Sequence, residues 1–103
     1  LVTIAFSSNA QSKKLVKESF KVWGKCDMCQ ERIEDFSYEI EGVKFCRWNI
    51  STKIITVKYD PKKTSVDKIQ KAIASIGHDT ELYSAKEEDY NNLHSCCKYE
   101  RKK

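Results

Sequence analysis

Val22-Trp23-Gly24-Lys25-Cys26-Asp27-Met28-Cys29 is the stretch on which the fold turns. A short apolar strand ends at Gly24, and a helical pattern begins about Asp27, so two cysteines stand at the mouth of a helix. Unpaired peptide N–H groups at a helix start, with the positive end of its dipole, favour thiolate over thiol. Only the thiolate binds a soft metal ion or attacks a disulfide. The stretch therefore supports two chemistries, soft-metal binding and dithiol redox exchange.

Upstream, Phe20 and Val22 alternate with polar residues between Glu18 and Trp23, which predicts a strand covered on one face. Downstream, Cys29, Ile33, Phe36 and Ile40 recur at helical spacing, with Gln30, Glu31, Arg32, Glu34 and Asp35 on the other face and Gly42 as the stop. Two alternating runs follow, Cys46, Trp48 and Ile50, then Ile55, Val57 and Tyr59, joined through residues 49–53 as a hairpin. Asp60-Pro61 ends it. Thr64 or Ser65 can cap a second helix with the apolar stripe Val66, Ile69, Ile73 and Ile76, which Gly77 closes. Thr80 to Tyr83 reads as a fourth strand. The order predicts an α+β, ferredoxin-like βαββαβ sandwich, a four-stranded antiparallel sheet with two helices on one face.

The 103 residues leave room for one small domain, here residues 18–84, followed by a tail over 85–103 that carries His94, Cys96 and Cys97. Residues 1–17 read as a signal-peptide remnant and flexible lead-in, because Leu1 to Phe6 is apolar and Ser8 and Ala10 suit a cleavage before Gln11. That predicts an exported, periplasmic protein; a plain N-terminal tail would leave it cytoplasmic. The charge of +4 comes from lysines scattered along the chain, which fits a solvated surface and not a nucleic-acid groove. No run is long and apolar enough for a membrane span. Five cysteines cannot all pair within one chain, so a pure disulfide scaffold is excluded in an oxidising compartment.

Phe20-Lys21-Val22-Trp23-Gly24 before Cys26-x-x-Cys29, Arg32-Ile33-Glu34, Glu41-Gly42-Val43, Val57-Lys58-Tyr59-Asp60-Pro61 and Ile76-Gly77-His78-Asp79 together resemble the heavy-metal-associated domain family of copper chaperones, metal-pumping ATPases and the periplasmic mercuric-ion binding protein. The resemblance spans Glu18 to Tyr83. It implies a non-enzymatic module that holds one soft ion, usually Cu(I), with Zn(II), Cd(II) or Hg(II) in other branches, on Cys26 and Cys29. It further implies delivery to a metal-transporting protein or ATPase with a matching thiolate site, by a monomer or a metal-bridged dimer. One departure stands out: the family pattern Gly-Met-x-Cys-x-x-Cys is shortened here to Gly24-Lys25-Cys26, without the methionine.

The remaining candidates carry two readings each. Met28 either packs inward in place of the missing methionine or sits as a soft neighbour of the ion. His78 follows the second helix and is either a third ligand or a group tuning the thiolates. His94, Cys96 and Cys97 form a second soft site, a lid over Cys26 and Cys29, a resolving thiol pair, or a tail whose cysteines pair with other chains or stay idle. Cys46 is in phase with Trp48 and Ile50 and is expected to be a buried core thiol, and Trp23, beside the loop, shields the ion, contacts a partner or packs on the tail. A thiol–disulfide oxidoreductase using Cys26 and Cys29 is the alternative function. Against it, Pro61 lies at a hairpin exit and no additional βαβ unit is present.

Overall fold

The structure, a computed structural model, describes residues 14–102. Of the expected signal remnant and lead-in over residues 1–17, residues 1–13 lie outside the described residues, while Val16 and Lys17 already belong to the first strand. The chain runs β1 (Val16–Lys21), α1 (Asp27–Tyr38), β2 (Val43–Trp48), β3 (Ile54–Tyr59), α2 (Val66–Ser75), α3 (Glu87–Asn91), then a single 3-10 turn at Ser95–Cys97. The strands form an antiparallel sheet in the order β1-β3-β2, with Val16 opposite Tyr59 at one end of β1 and Lys21 opposite Ile54 at the other. This arrangement is the α+β class expected from the sequence pattern.

Alternation decides which sheet face is covered. Phe20, Cys46, Trp48, Ile55, Val57 and Tyr59 are buried, whereas Ser19 and Thr56 meet through their hydroxyls on the exposed face, 3.1 Å apart. Cys29 and Ile33 from α1 and Ile69 and Ile73 from α2 close the same cluster. Each fully buried isoleucine contributes about 1.5–3 kcal/mol to folding. The α1 stripe is rotated from expectation: Cys29, Ile33 and Ser37 are fully buried, while Phe36 and Ile40 pack at its margin. Ser65 is the cap of α2, its hydroxyl accepting from the Lys68 N–H at 3.2 Å.

Two departures alter the surroundings of the cysteine loop. The sheet has three strands among the described residues, not four, because Thr80 joins it only through a lone antiparallel bridge to Val22. The reason lies in where its polar groups find partners. The Thr80 N–H donates to the Tyr83 carbonyl at 2.8 Å, closing a turn where a strand was expected. The Lys102 ammonium then donates to the carbonyls of Thr80, Glu81 and Tyr83, satisfying acceptors that a ladder would have used. The second departure is the tail. Leu93, Cys97 and Tyr99 belong to the buried cluster, and the polar run before them forms α3.

Candidate metal centre

The loop from Gly24 to Cys26 is shaped by crowding. A Cβ on Gly24 would lie 3.0 Å from the Trp48 ring and 3.3 Å from the Cys29 Cβ, so only glycine lets the backbone pass so near α1. Trp48 is itself fixed by its indole N–H, which donates to the Val22 carbonyl at 3.0 Å. Cys26 is the N-cap of α1 in extended conformation, with φ −136° and ψ 179°. Its carbonyl accepts the first helical bond, from the Gln30 N–H at 3.1 Å. Cys29, one turn in on the apolar face, is fully buried. The loop and the helix face together bring the two sulfurs to 3.7 Å, with Cys26 half-exposed and Cys29 beneath it.

The tail adds more sulfur. Cys97 Sγ, 2% exposed, lies 3.7 Å from Cys26 Sγ. The sulfurs of Cys26, Cys96 and Cys97 all lie within 4.8 Å of one another. Cys96 is exposed at the rim, its Sγ 3.1 Å from the thioether of Met28. Met28 points outward and does not fill the core place of the missing loop methionine.

A polar clamp sets the tail's position. Asp79, 1% exposed, receives a two-pronged contact from Arg101, Nε to Oδ2 at 2.8 Å and Nη2 to Oδ1 at 2.7 Å. The same carboxylate accepts from the Ala85 N–H at 2.7 Å. The Tyr99 hydroxyl donates to the Gly77 carbonyl at 2.6 Å and accepts from the Asp79 N–H at 2.9 Å. Tyr99 also stacks on His78, and Tyr90 meets it edge-on while donating to its carbonyl at 2.6 Å. Every buried polar atom of the Asp79 carboxylate is thereby occupied, which is what makes burying a charge tolerable.

Electrostatics separate the thiols. Burial alone would raise the Cys26 pKa, but the Cys29 backbone N–H at the open helix end and the thiols of Cys96, Cys29 and Cys97 outweigh it, giving about 7. Burial, then the thiols of Cys29 and Cys26, push Cys97 upward, and contact with Cys26 raises Cys96. Of Cys26, Cys96 and Cys97, Cys26 is thus the first to become thiolate. Cys46 stands apart in the core, donating to the Glu34 carbonyl at 3.4 Å, with its pKa raised to about 12 by burial and by Glu34 and Asp35.

His78 is completely buried, and its Nδ1 meets the Trp23 carbonyl at 2.9 Å. Burial drops its pKa to about 4, so it is neutral and braces the strand end next to the loop. His94 is exposed on the tail, and no side-chain hydrogen bond of its own occurs among the described residues. Trp23 is half-buried, its N–H donating to the Asp79 carbonyl at 2.9 Å and its ring under the ammonium of Lys21. It packs between the loop and the clamp that holds the tail. Cys97 is the residue whose burial the linear pattern failed to announce, although the apolar spacing of Leu93, Cys97 and Tyr99 in an otherwise polar segment is its trace.

Residues 25–79 match the family model described as the heavy-metal-associated domain. The copper-exporting P-type ATPase of Staphylococcus saprophyticus is 38% identical over 56 residues, 54% of this chain and 7% of that protein. The solution structure of the N-terminal domain of a potential copper-translocating P-type ATPase from Bacillus subtilis, in the Cu(I)-loaded state, is 31% identical with a TM-score of 0.63, covering 72% of this chain and 94% of that one. Oxidized MerP from Ralstonia metallidurans CH34 is 28% identical with a TM-score of 0.62, covering 66% of this chain and 96% of that one. The chain spans 7% to 10% of the length of the curated relatives it matches. Cys96 and Cys97 lie beyond the matched segment.

Proposed function

The chain belongs to the heavy-metal-associated domain family, and from that premise we propose that it binds one soft metal ion on the thiolates of Cys26 and Cys29 and hands it to a partner. The observation that carries this reading is the pair of sulfurs 3.7 Å apart at the open end of α1, one half-exposed and one buried. Both are soft donors, and a thiolate already favoured at Cys26 near neutral pH lowers the cost of exchanging a proton for a metal. Cu(I) is the favoured cargo, supported by the copper-exporting relatives.

Transfer follows from the difference in access. A partner's thiolate approaches the ion from the side of Cys26, the ion gains a ligand, and Cys26 leaves first while Cys29, held in the core, releases last. Exposed Lys25 and the α1 dipole offset the charge of an anionic thiolate complex. The partner is a metal-transporting protein with its own thiolate pair.

The test is an anaerobic titration of the reduced chain with Cu(I) against a competing chelator. Tight 1:1 binding is expected, falling about a hundredfold or more in Cys26→Ser, since losing even an outer contact of a metal site costs 10- to 100-fold. Unchanged affinity in that variant would sink the assignment. Catalysed reduction of a disulfide substrate by a chain that binds no soft ion would favour thiol–disulfide exchange instead.

A further inference from the structure

The spacing of the sulfurs asks for more ligands than the family pair supplies. At metal–sulfur bonds of about 2.3 Å, sulfurs sharing one ion stand about 4.6 Å apart in a linear site, about 4.0 Å in a trigonal one and about 3.8 Å in a tetrahedral one. Cys26 lies 3.7 Å from Cys29 and 3.7 Å from Cys97, both nearer the separations of sulfurs that share an ion with more than two ligands than that of a linear pair. Cys97 is held there by the buried clamp of Asp79, Arg101 and Tyr99 and is not a chance visitor. We infer that Cys97 is a third thiolate ligand, completing with buried Cys29 and with Cys26 a three-sulfur site for a soft divalent ion, and that Cys96, within 4.8 Å of Cys26 and Cys97 but exposed and in contact with Met28, forms with Met28 its exposed sulfur rim. The inference rests on the proposed soft-metal function.

Charge supports the divalent assignment. Three thiolates carry a net charge of −1 around a divalent ion and −2 around Cu(I), and in a site where two of the three sulfurs are buried the smaller charge is the cheaper one. Cu(I) is still accommodated by Cys26 and Cys29 alone. Cys97 therefore widens the cargo to ions that two thiolates hold weakly, of which Cd(II) is the spectroscopic representative and Zn(II) the borderline member. On binding, three metal–sulfur bonds replace the ion's bonds to water, and the protons remaining on the three thiols pass to solvent.

The experiment titrates the reduced full chain with Cd(II) and reads the sulfur-to-cadmium charge-transfer absorption, whose intensity scales with the number of sulfurs bound. Full-chain protein is expected to show three sulfurs. Cys97→Ser and Cys97→Ala should lose about a third of the band and bind Cd(II) tenfold or more weakly, in line with removal of a metal-site contact. Cys96→Ser should leave the band unchanged. An intact band and affinity in both Cys97 variants, or loss in Cys96→Ser alone, would overturn the inference. X-ray absorption on the Cd(II)-loaded native chain counts sulfurs without any substitution: three are expected, and two would overturn it. Tight Cu(I) binding that needs Cys26 yet is accompanied by a two-sulfur cadmium site defeats only the third ligand. Absence of any soft-ion binding defeats the proposed function itself.

Discussion

Cys29 is carried to the sulfur cluster by an apolar helix face packed on a sheet, whereas Cys97 is carried there by a tail whose Tyr99 and Arg101 are pinned by hydrogen bonds to Gly77 and Asp79. The first placement relies on hydrophobic burial, which is non-directional and tolerant. The second adds to the burial of Leu93, Cys97 and Tyr99 a paired carboxylate, which is directional and fails when one partner is lost. The two arms of one site therefore differ in what breaks them. Conditions that protonate or unpair the clamp should release the tail while the Cys26 and Cys29 loop stays folded.

The largest effect is expected from Asp79→Asn, which leaves Arg101 without its anion and the Ala85 N–H without its best acceptor. Unfolding in urea should show a loss of about 3–5 kcal/mol. A loss under 1 kcal/mol would mean that the tail contributes little to the native fold.

Acid should act in the same region. The His78 pKa is lowered from 6.5 to about 4, so the unfolded chain binds the extra proton and stability is complete above pH 6.5 and falls as pH drops toward 4. The loss across that window is on the order of 3 kcal/mol. His78→Phe should remove that slope, and an equal slope in this variant would assign it to other groups. Asp79, whose burial penalty is outweighed by Arg101 and so whose pKa is lowered, loses its contribution only at still lower pH.

Thiol reactivity sharpens the contrast between the two arms. In the reduced, metal-free chain Cys26, with a pKa of about 7, is half thiolate at neutral pH, against about one part in a hundred for a thiol of pKa 9. Alkylation followed by mass spectrometry should modify Cys26 tens of times faster than Cys97 or Cys46, with a rate that climbs through pH 7. Modification of Cys97 first would contradict the order of thiolates in the cluster.

The smallest change is expected in Tyr99→Phe. It removes one hydroxyl that both donates to Gly77 and accepts from Asp79, at a cost of about 1–3 kcal/mol. Soft-ion affinity of the Cys26 and Cys29 pair should stay within a few fold. A fall as large as that of Cys26→Ser would show that the two arms are not separable.

What could be read in advance follows the same division. Strand β3 and helix α2 were legible because Ile55, Val57 and Tyr59 alternate and Ile69 and Ile73 repeat at helical spacing, so burial wrote itself into the linear pattern. The Cys26 and Cys29 site was legible because a glycine, a short loop and a helix start are all local. Thr80 to Tyr83 has strand-like composition, and nothing in it shows that its carbonyls are taken up by Lys102, some twenty residues away. The closure of the tail was illegible for the same reason. A buried Asp–Arg pair leaves no periodic signal, and the grouping of Cys97 with Cys26 is set by contacts that span 71 positions.

One measurement tests the central claim most directly: chelator-competed Cu(I) titration of two double variants, Cys26→Ser with Cys29→Ser, and Cys96→Ser with Cys97→Ser. The account predicts that the first loses tight 1:1 binding altogether while the second keeps it. Retention of tight binding by the first variant would contradict the account and move the site to the tail.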